Sequence, residues 1–163
     1  MGTEIERKFL IADERWRELA DAGQRVRQGY LAGNERCSAR VRIAGEHASL
    51  NFKGMTLAVT RREYEYRIPL SDAEEMLEHL CSGPLIEKVR YRVPYEGHVW
   101  EVDCFDGDNA GLVVAEIELG SSDEAFAVPD WVGREVSDKA RYYNVRLIEH
   151  PYLDWDHAER AGD

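Results

Sequence analysis

At 163 residues the chain has the size of one domain and can bury a core without covalent staples, and its three cysteines, Cys37, Cys81 and Cys104, lack the even count and close spacing of a disulfide framework or a cysteine-rich zinc site. A formal net charge of -11 argues against a general nucleic-acid-binding surface, because duplex affinity rests on phosphate neutralisation by a basic face. The chain is charged from Glu4 onward, shows no apolar leader and has no apolar run approaching a membrane span, so a cytoplasmic protein with no membrane contact is expected.

The first element predicted is a strand through Glu4-Ile5-Glu6-Arg7-Lys8, where two carboxylates and an amine fall at every second position and so share one face. Carboxylates are the hard oxygen ligands that Mg²⁺ accepts together with substrate phosphates, and an adjacent lysine suits the phosphate. A short helix is expected from Asp13 to Ala22, then strands at Val26 to Leu31, Arg40 to Ile43, Ser49 to Lys53 and Glu63 to Ile68. Ser71-Asp72-Ala73-Glu74 has the form of a capping box opening a helix with Ala73, Met76, Leu77 and Leu80 on one face and Gly83-Pro84 as its stop. Strands follow at Lys88 to Val93, Trp100 to Cys104 and Ala115 to Leu119. A short helix is expected from Ser122 to about Ala127, and a last one from Ser137 to Leu147 packing through Ala140, Tyr143 and Leu147. Residues 1–150 read as one α+β domain, and the polar segment 151–163 as a tail that frays.

The strands carry ionisable residues on one face and apolar residues on the other, so the charged face looks either into bulk water or into the interior of a closed sheet. A solvated face should mix signs across neighbouring strands, since like charges directly opposite are destabilising. Here the signs are segregated strand by strand: Arg40 and Arg42, then Lys88, Arg90 and Arg92, against Glu101 with Asp103 and Glu116 with Glu118. Such segregation is unfavourable unless a polyanion and cations occupy the space between. The five histidines, His47, His79, His98, His150 and His157, lack metal-ligand spacing and are expected at the surface. Neither a Walker phosphate loop nor a Ser/His/Asp arrangement is visible.

The ordered series Glu4-x-Glu6-x-Lys8, Arg40-x-Arg42, Phe52-Lys53, Arg62-Glu63-Tyr64-Glu65, Glu87-Lys88-x-Arg90-Tyr91, Glu101-x-Asp103 and Glu116-x-Glu118 resembles the CYTH superfamily, the triphosphate tunnel metalloenzymes. The resemblance runs from about Thr3 to Leu147 and implies an eight-stranded antiparallel β-barrel, a tunnel with a polar, charged interior and helices packed outside. It implies Mg²⁺ or Mn²⁺ as cofactor, with Glu4, Glu6, Asp103, Glu116 and Glu118 as metal-site carboxylates and Glu63 and Glu65 as further contributors. Lys8, Arg40, Arg42, Lys53, Lys88 and Arg90 take the place of the phosphate cradle, with Glu4, Glu6, Lys8 and Lys88 as catalytic residues. Arg61, Arg92 and Arg141 are weaker candidates, and Tyr30 is placed to reach a cradle lysine. The implied activity is metal-dependent hydrolysis of a small triphosphate, foremost inorganic tripolyphosphate. Thiamine triphosphatase, class IV adenylyl cyclase and a non-catalytic polyphosphate or nucleotide sensor are the alternatives. Lys139 and Arg141 lie in a stretch that only approximates the family pattern. Apolar strand faces left uncovered by so few helices suggest a homodimer.

Overall fold

The computed structural model describes residues 2–55 and 59–163. Each alternating stretch forms a strand: β1 (Glu4–Ile11), β2 (Gln24–Gly33), β3 (Cys37–Ala44), β4 (His47–Gly54), β5 (Thr60–Arg61), β6 (Glu63–Ile68), β7 (Ser82–Tyr95), β8 (His98–Phe105), β9 (Val113–Glu118) and β10 (Val132–Glu135). Helices are α1 (Leu70–His79), α2 (Asn144–Glu149) and α3 (His157–Arg160), none of them long and apolar enough to cross a membrane. Short connections make neighbours antiparallel. Glu96-Gly97 joins β7 to β8 with positive φ at both residues (47° and 81°), the backbone that matches the twist of a two-residue hairpin.

The sheet runs β10-β1-β9-β8-β7-β2-β3-β4-β6, and it curls back on itself. β1 pairs with β9 along one edge and divides its other edge between β5, through Glu4↔Arg61, and β10, through Phe9↔Glu135. Only Arg62 separates β5 from β6, and the Gly2 amide donates to the Glu63 carbonyl at 3.1 Å. With Thr60–Ile68 counted as one bent strand, the circuit has the eight strands expected, and β10 is an addition outside it.

The outward faces carry two apolar layers, with ion pairs such as Arg7–Glu135 and Arg27–Glu74 beside them. Val41, Ile43 and Ala48 pack under Ala73 and Leu77 of α1, while Phe9, Trp100, Val102 and Ile117 pack under Trp16, Trp131 and Leu119. Each buried Val, Leu, Ile or Phe among these contributes about 1.5–3 kcal/mol, so these two layers hold the curl. The inward rows are polar through most of their length but end in Leu10, Ile86, Phe105 and Val114. Val136, Tyr142, Leu147 and Trp155 pack on that apolar end, so the chain's last third covers it. The expected frayed tail is thereby corrected: Trp155 is 4 % exposed, and Asp156 and Glu159 form a reciprocal cap on α3.

The helix expectations need four corrections. Asp13 to Ala22 gives only a 3-10 turn, Glu14–Glu18, held at its start by the Asp13 carboxylate accepting from the Arg15 amide. α1 begins at Leu70 after Pro69, so Ser71 already lies in the first turn and no side chain caps the helix. Leu80 falls past its end and is 61 % exposed, and Gly83-Pro84 opens β7 instead of ending the helix. No helix forms over 122–127, because Phe126 is drawn against Phe9 and Trp100 and Glu124 is tied to His98 at 2.7 Å. The span from Ser137 to Leu147 divides into a 3-10 turn, Ala140–Tyr142, and α2. Ser71→Ala is therefore expected to leave the unfolding free energy unchanged to within about 0.5 kcal/mol, where loss of a true cap costs about 1 kcal/mol; differential scanning calorimetry distinguishes the two.

Candidate active site

Strand alternation turns Glu4, Glu6 and Lys8 inward from β1, and register supplies their neighbours. Glu6 lies opposite Glu118 and Lys8 opposite Glu116, while Arg90 lies opposite Asp103 and Lys53 opposite Glu63. Lys88 and Asp103 are fully buried, with Lys88 Nζ 2.6 Å from Asp103 Oδ2. Lys8 Nζ is hydrogen-bonded to Glu116 and lies 3.7 Å from Glu6. Arg90 forks across both oxygens of Asp103 at 2.7 Å, reaches Glu116 at 2.7 Å and also bonds Glu101. Lys53 and Arg61 grip Glu4 at 2.7 Å each. Planar guanidinium forks suit such shared carboxylates, which is why Arg90 can serve three of them.

Charges in this interior perturb one another. Burial acts to raise the Glu4 pKa, but Lys53 and Arg61 outweigh it and hold the carboxyl at about 2. Asp103 and Glu116 are likewise held down against burial, chiefly by Arg90 and Lys88 for the first and by Lys8 and Arg90 for the second. Glu6 and Glu118 go the other way. Burial and the neighbouring Glu116 push Glu6 up, and burial with Glu4, Glu63, Glu101 and Glu6 pushes Glu118 up. Among the cations, burial takes Lys88 down to about 7 despite Asp103, and burial with Arg40 and Arg90 takes Arg42 down to about 10.

Excess charge of each sign therefore has its own place. Arg42 meets no carboxylate within ion-pair distance among the described residues, its Nε being held by Gln28 Oε1 at 3.1 Å. Arg40 reaches Glu63 only at 4.0 Å, and its own Nε, buried, has no hydrogen-bond partner among the described residues. Unmatched donors on the β2–β3 wall fit an anion, and the under-compensated carboxylates where β1 meets β9 fit a divalent cation. As the side chains stand, no three acidic, histidine or cysteine groups among the described residues converge closely enough to hold a metal ion.

A cavity of about 840 Å³ opens beside α2, lined by the cations Lys8, Arg40, Lys53 and Arg61 together with Tyr30, Met55, Val145 and Ile148. All the residues assigned to the site from the sequence lie on inward strand positions, although Glu65 and Glu118 are exposed at the edge of the interior and Glu65 serves to hold Asn51. Arg61 belongs with the central group. Arg92 is exposed, and Arg141 turns away to bond the Asp163 carbonyl oxygen. Tyr30 lies on the cavity wall opposite Arg40, while Lys88 Nζ donates to Asp103 and, at 3.4 Å, to Asn144. Gln28, Asn51, Tyr143 and Asn144 were not anticipated. The first two could have been found by extending the inward rows to neutral residues, whereas nothing in the strand periodicity marks Tyr143 or Asn144, which reach the site from the start of α2.

Because the retained ionisation of Glu4 depends on folding, acid should destabilise the protein through it. Its folded pKa is depressed, so its contribution is complete above about 4.5 and is lost as pH falls toward 2. Between pH 4.5 and 3 this amounts to about 2 kcal/mol, and Glu4→Gln should flatten that limb of a urea-midpoint-against-pH curve.

A closed antiparallel barrel lined with segregated charge defines a tunnel protein for charged ligands. The chain belongs to the CYTH domain family, whose model matches residues 2–152. It is 47% identical over 155 residues to an inorganic triphosphatase of Acetivibrio thermocellus, covering 95% of this chain and 99% of that one. An inorganic triphosphatase of Nitrosomonas europaea is 37% identical over 150 residues, covering 89% and 96%. Among solved structures, an inorganic triphosphatase superposes with a TM-score of 0.63 at 34% identity, covering 91% of this chain and 95% of that one. Family membership implies dependence on a divalent metal ion.

Proposed function

We propose that the protein hydrolyses inorganic tripolyphosphate to pyrophosphate and phosphate in this tunnel, with Mg²⁺ or Mn²⁺ as cofactor. The observation that carries this reading is the separation of unmatched cations, Arg40 and Arg42, from the under-compensated carboxylates Glu6 and Glu118 within one barrel. The two close relatives named inorganic triphosphatase support the choice of substrate.

Arg40, Arg42 and Lys53 bind and orient the phosphate chain, with Lys8, Lys88 and Arg90 completing the cradle. Glu4, Glu6, Asp103, Glu116 and Glu118 would hold the metal, assisted by Glu63 and Glu65, after side-chain rearrangement that brings their oxygens together. When bound, a divalent ion supplies Lewis-acid polarisation of a phosphoryl oxygen and lowers the pKa of water. Fixed cations around the chain stabilise charge spreading over the phosphoryl oxygens in the transition state, at little cost of reorganisation because their strands already hold them. Lys88, near pKa 7 and bonded to Asp103, sits where a proton can be held or released close to neutrality. Three free thiols agree with a cytoplasmic setting.

The test is phosphate release from tripolyphosphate, thiamine triphosphate, ATP and pyrophosphate, each with Mg²⁺, with Mn²⁺ and with chelator. Metal-dependent release foremost from tripolyphosphate is expected. Rapid turnover of thiamine triphosphate with none of tripolyphosphate, or formation of cyclic AMP from ATP, overturns the substrate assignment.

A further inference from the structure

Tyr143 stands where the cavity meets the charged interior, and two of the site's cations face its ring. Lys8 Nζ is 5.7 Å from the ring centroid and Arg61 Cζ is 5.4 Å from it, both within cation–π range. The ring is fixed at its far end, since the hydroxyl donates to the Ser137 carbonyl at 2.7 Å, and the Ser137 hydroxyl in turn accepts from the Lys8 amide at 2.9 Å. Ring and lysine are thus referred to the same short segment. Tyr143 borders both the large cavity and a narrow crevice shared with Glu6, Lys8, Val59, Arg61 and Ser137.

Lys8 and Arg61 otherwise depend on carboxylates. Lys8 is bonded to Glu116 and lies near Glu6, while Arg61 lies 2.7 Å from Glu4 and 3.5 Å from Glu6. These are the carboxylates assigned to the metal, so both cations need a neighbour that stays with them once those oxygens are engaged elsewhere. An acidic side chain in that place would repel a polyanionic substrate. An aromatic face attracts the cations without carrying net charge.

We infer that Tyr143 is a positioning residue for substrate binding, its ring holding Lys8 and Arg61 toward the phosphate chain. The inference rests on the triphosphatase reading, and its test separates the two. KM and kcat for tripolyphosphate with Mg²⁺ are measured for the natural protein, Tyr143→Phe and Tyr143→Leu, alongside calorimetric binding of tripolyphosphate in chelator and metal-free melting temperatures. Tyr143→Leu should raise KM about tenfold with kcat within about threefold, and weaken chelator-phase binding alike, from loss of two cation–π contacts. Tyr143→Phe, which keeps the ring, should stay within about twofold of the natural protein. An unchanged KM in Tyr143→Leu, or an equal loss in Tyr143→Phe, overturns the inference, the second result assigning the effect to the Ser137 anchor. If Tyr143→Leu does not fold, Tyr143→Met carries the same comparison. Absence of phosphate release by the natural protein defeats the triphosphatase reading alone, because the binding comparison still decides the role of the ring.

Discussion

Glu6→Gln is expected to lower turnover of tripolyphosphate by roughly a hundredfold or more while raising the melting temperature of the metal-free protein, given that loss even of outer-shell partners costs 10–100-fold at metal sites. The two effects share one cause. Glu6 lies opposite Glu118 and close to Glu116, so burial and like charge already push its carboxyl above the ordinary range. A group that prefers to be neutral in the fold weakens the fold when ionised, and the amide removes that penalty. In the window between the ordinary and the raised pKa the folded state binds the extra proton, so Glu6 makes the metal-free protein more stable as pH falls there, and metal affinity weaker. Glu6→Gln should lose both trends. Differential scanning fluorimetry with and without Mn²⁺ measures the first effect, and phosphate release the second. A lower metal-free melting temperature, or unimpaired turnover, places the metal elsewhere.

Arg90→Ala should produce the largest loss of stability of any single change at the site, about 3–5 kcal/mol. The guanidinium contacts Asp103, Glu116 and Glu101 together. Its removal leaves Asp103 with Lys88 and Glu116 with Lys8, each in a barrel interior where an under-compensated carboxylate is costly. Arg90→Lys should recover little, since a single ammonium cannot span three carboxylates. Urea titration reads the change as a lower midpoint at unchanged slope. A shift below about 1 kcal/mol would mean that these carboxylates take up protons at little cost when the fork is lost.

The strands were legible because their period is two and their faces differ so sharply in charge. β5 and β10, of two and four residues, are too short to show a period, and they form only because the other edge of β1 is open to them. Helices were less legible, because their ends are set by packing. Phe126 is pulled onto Phe9 and Trp100 instead of entering a helix, and Trp155 is buried under Tyr142 in a segment whose composition is otherwise polar. In the site, charged residues announced themselves through alternation. Gln28 and Asn51 carry no charge to alternate, and Tyr143 and Asn144 approach from α2, outside any strand pattern.

By itself the sequence determined which residues share a face and that several strand faces carry charge of one sign, while the closed sheet that turns this face inward was implied by the family resemblance. Local alternation suffices for the faces, because the pleat gives each residue its side regardless of what lies opposite. Only the tertiary structure decided which charges are matched. Lys8 meets Glu116 and Lys53 meets Glu4 through strand register and barrel closure, between positions far apart in the chain. That pairing leaves Arg40, Arg42, Glu6 and Glu118 short of partners, and electrostatic compensation depends on distances across the barrel that no stretch of sequence contains.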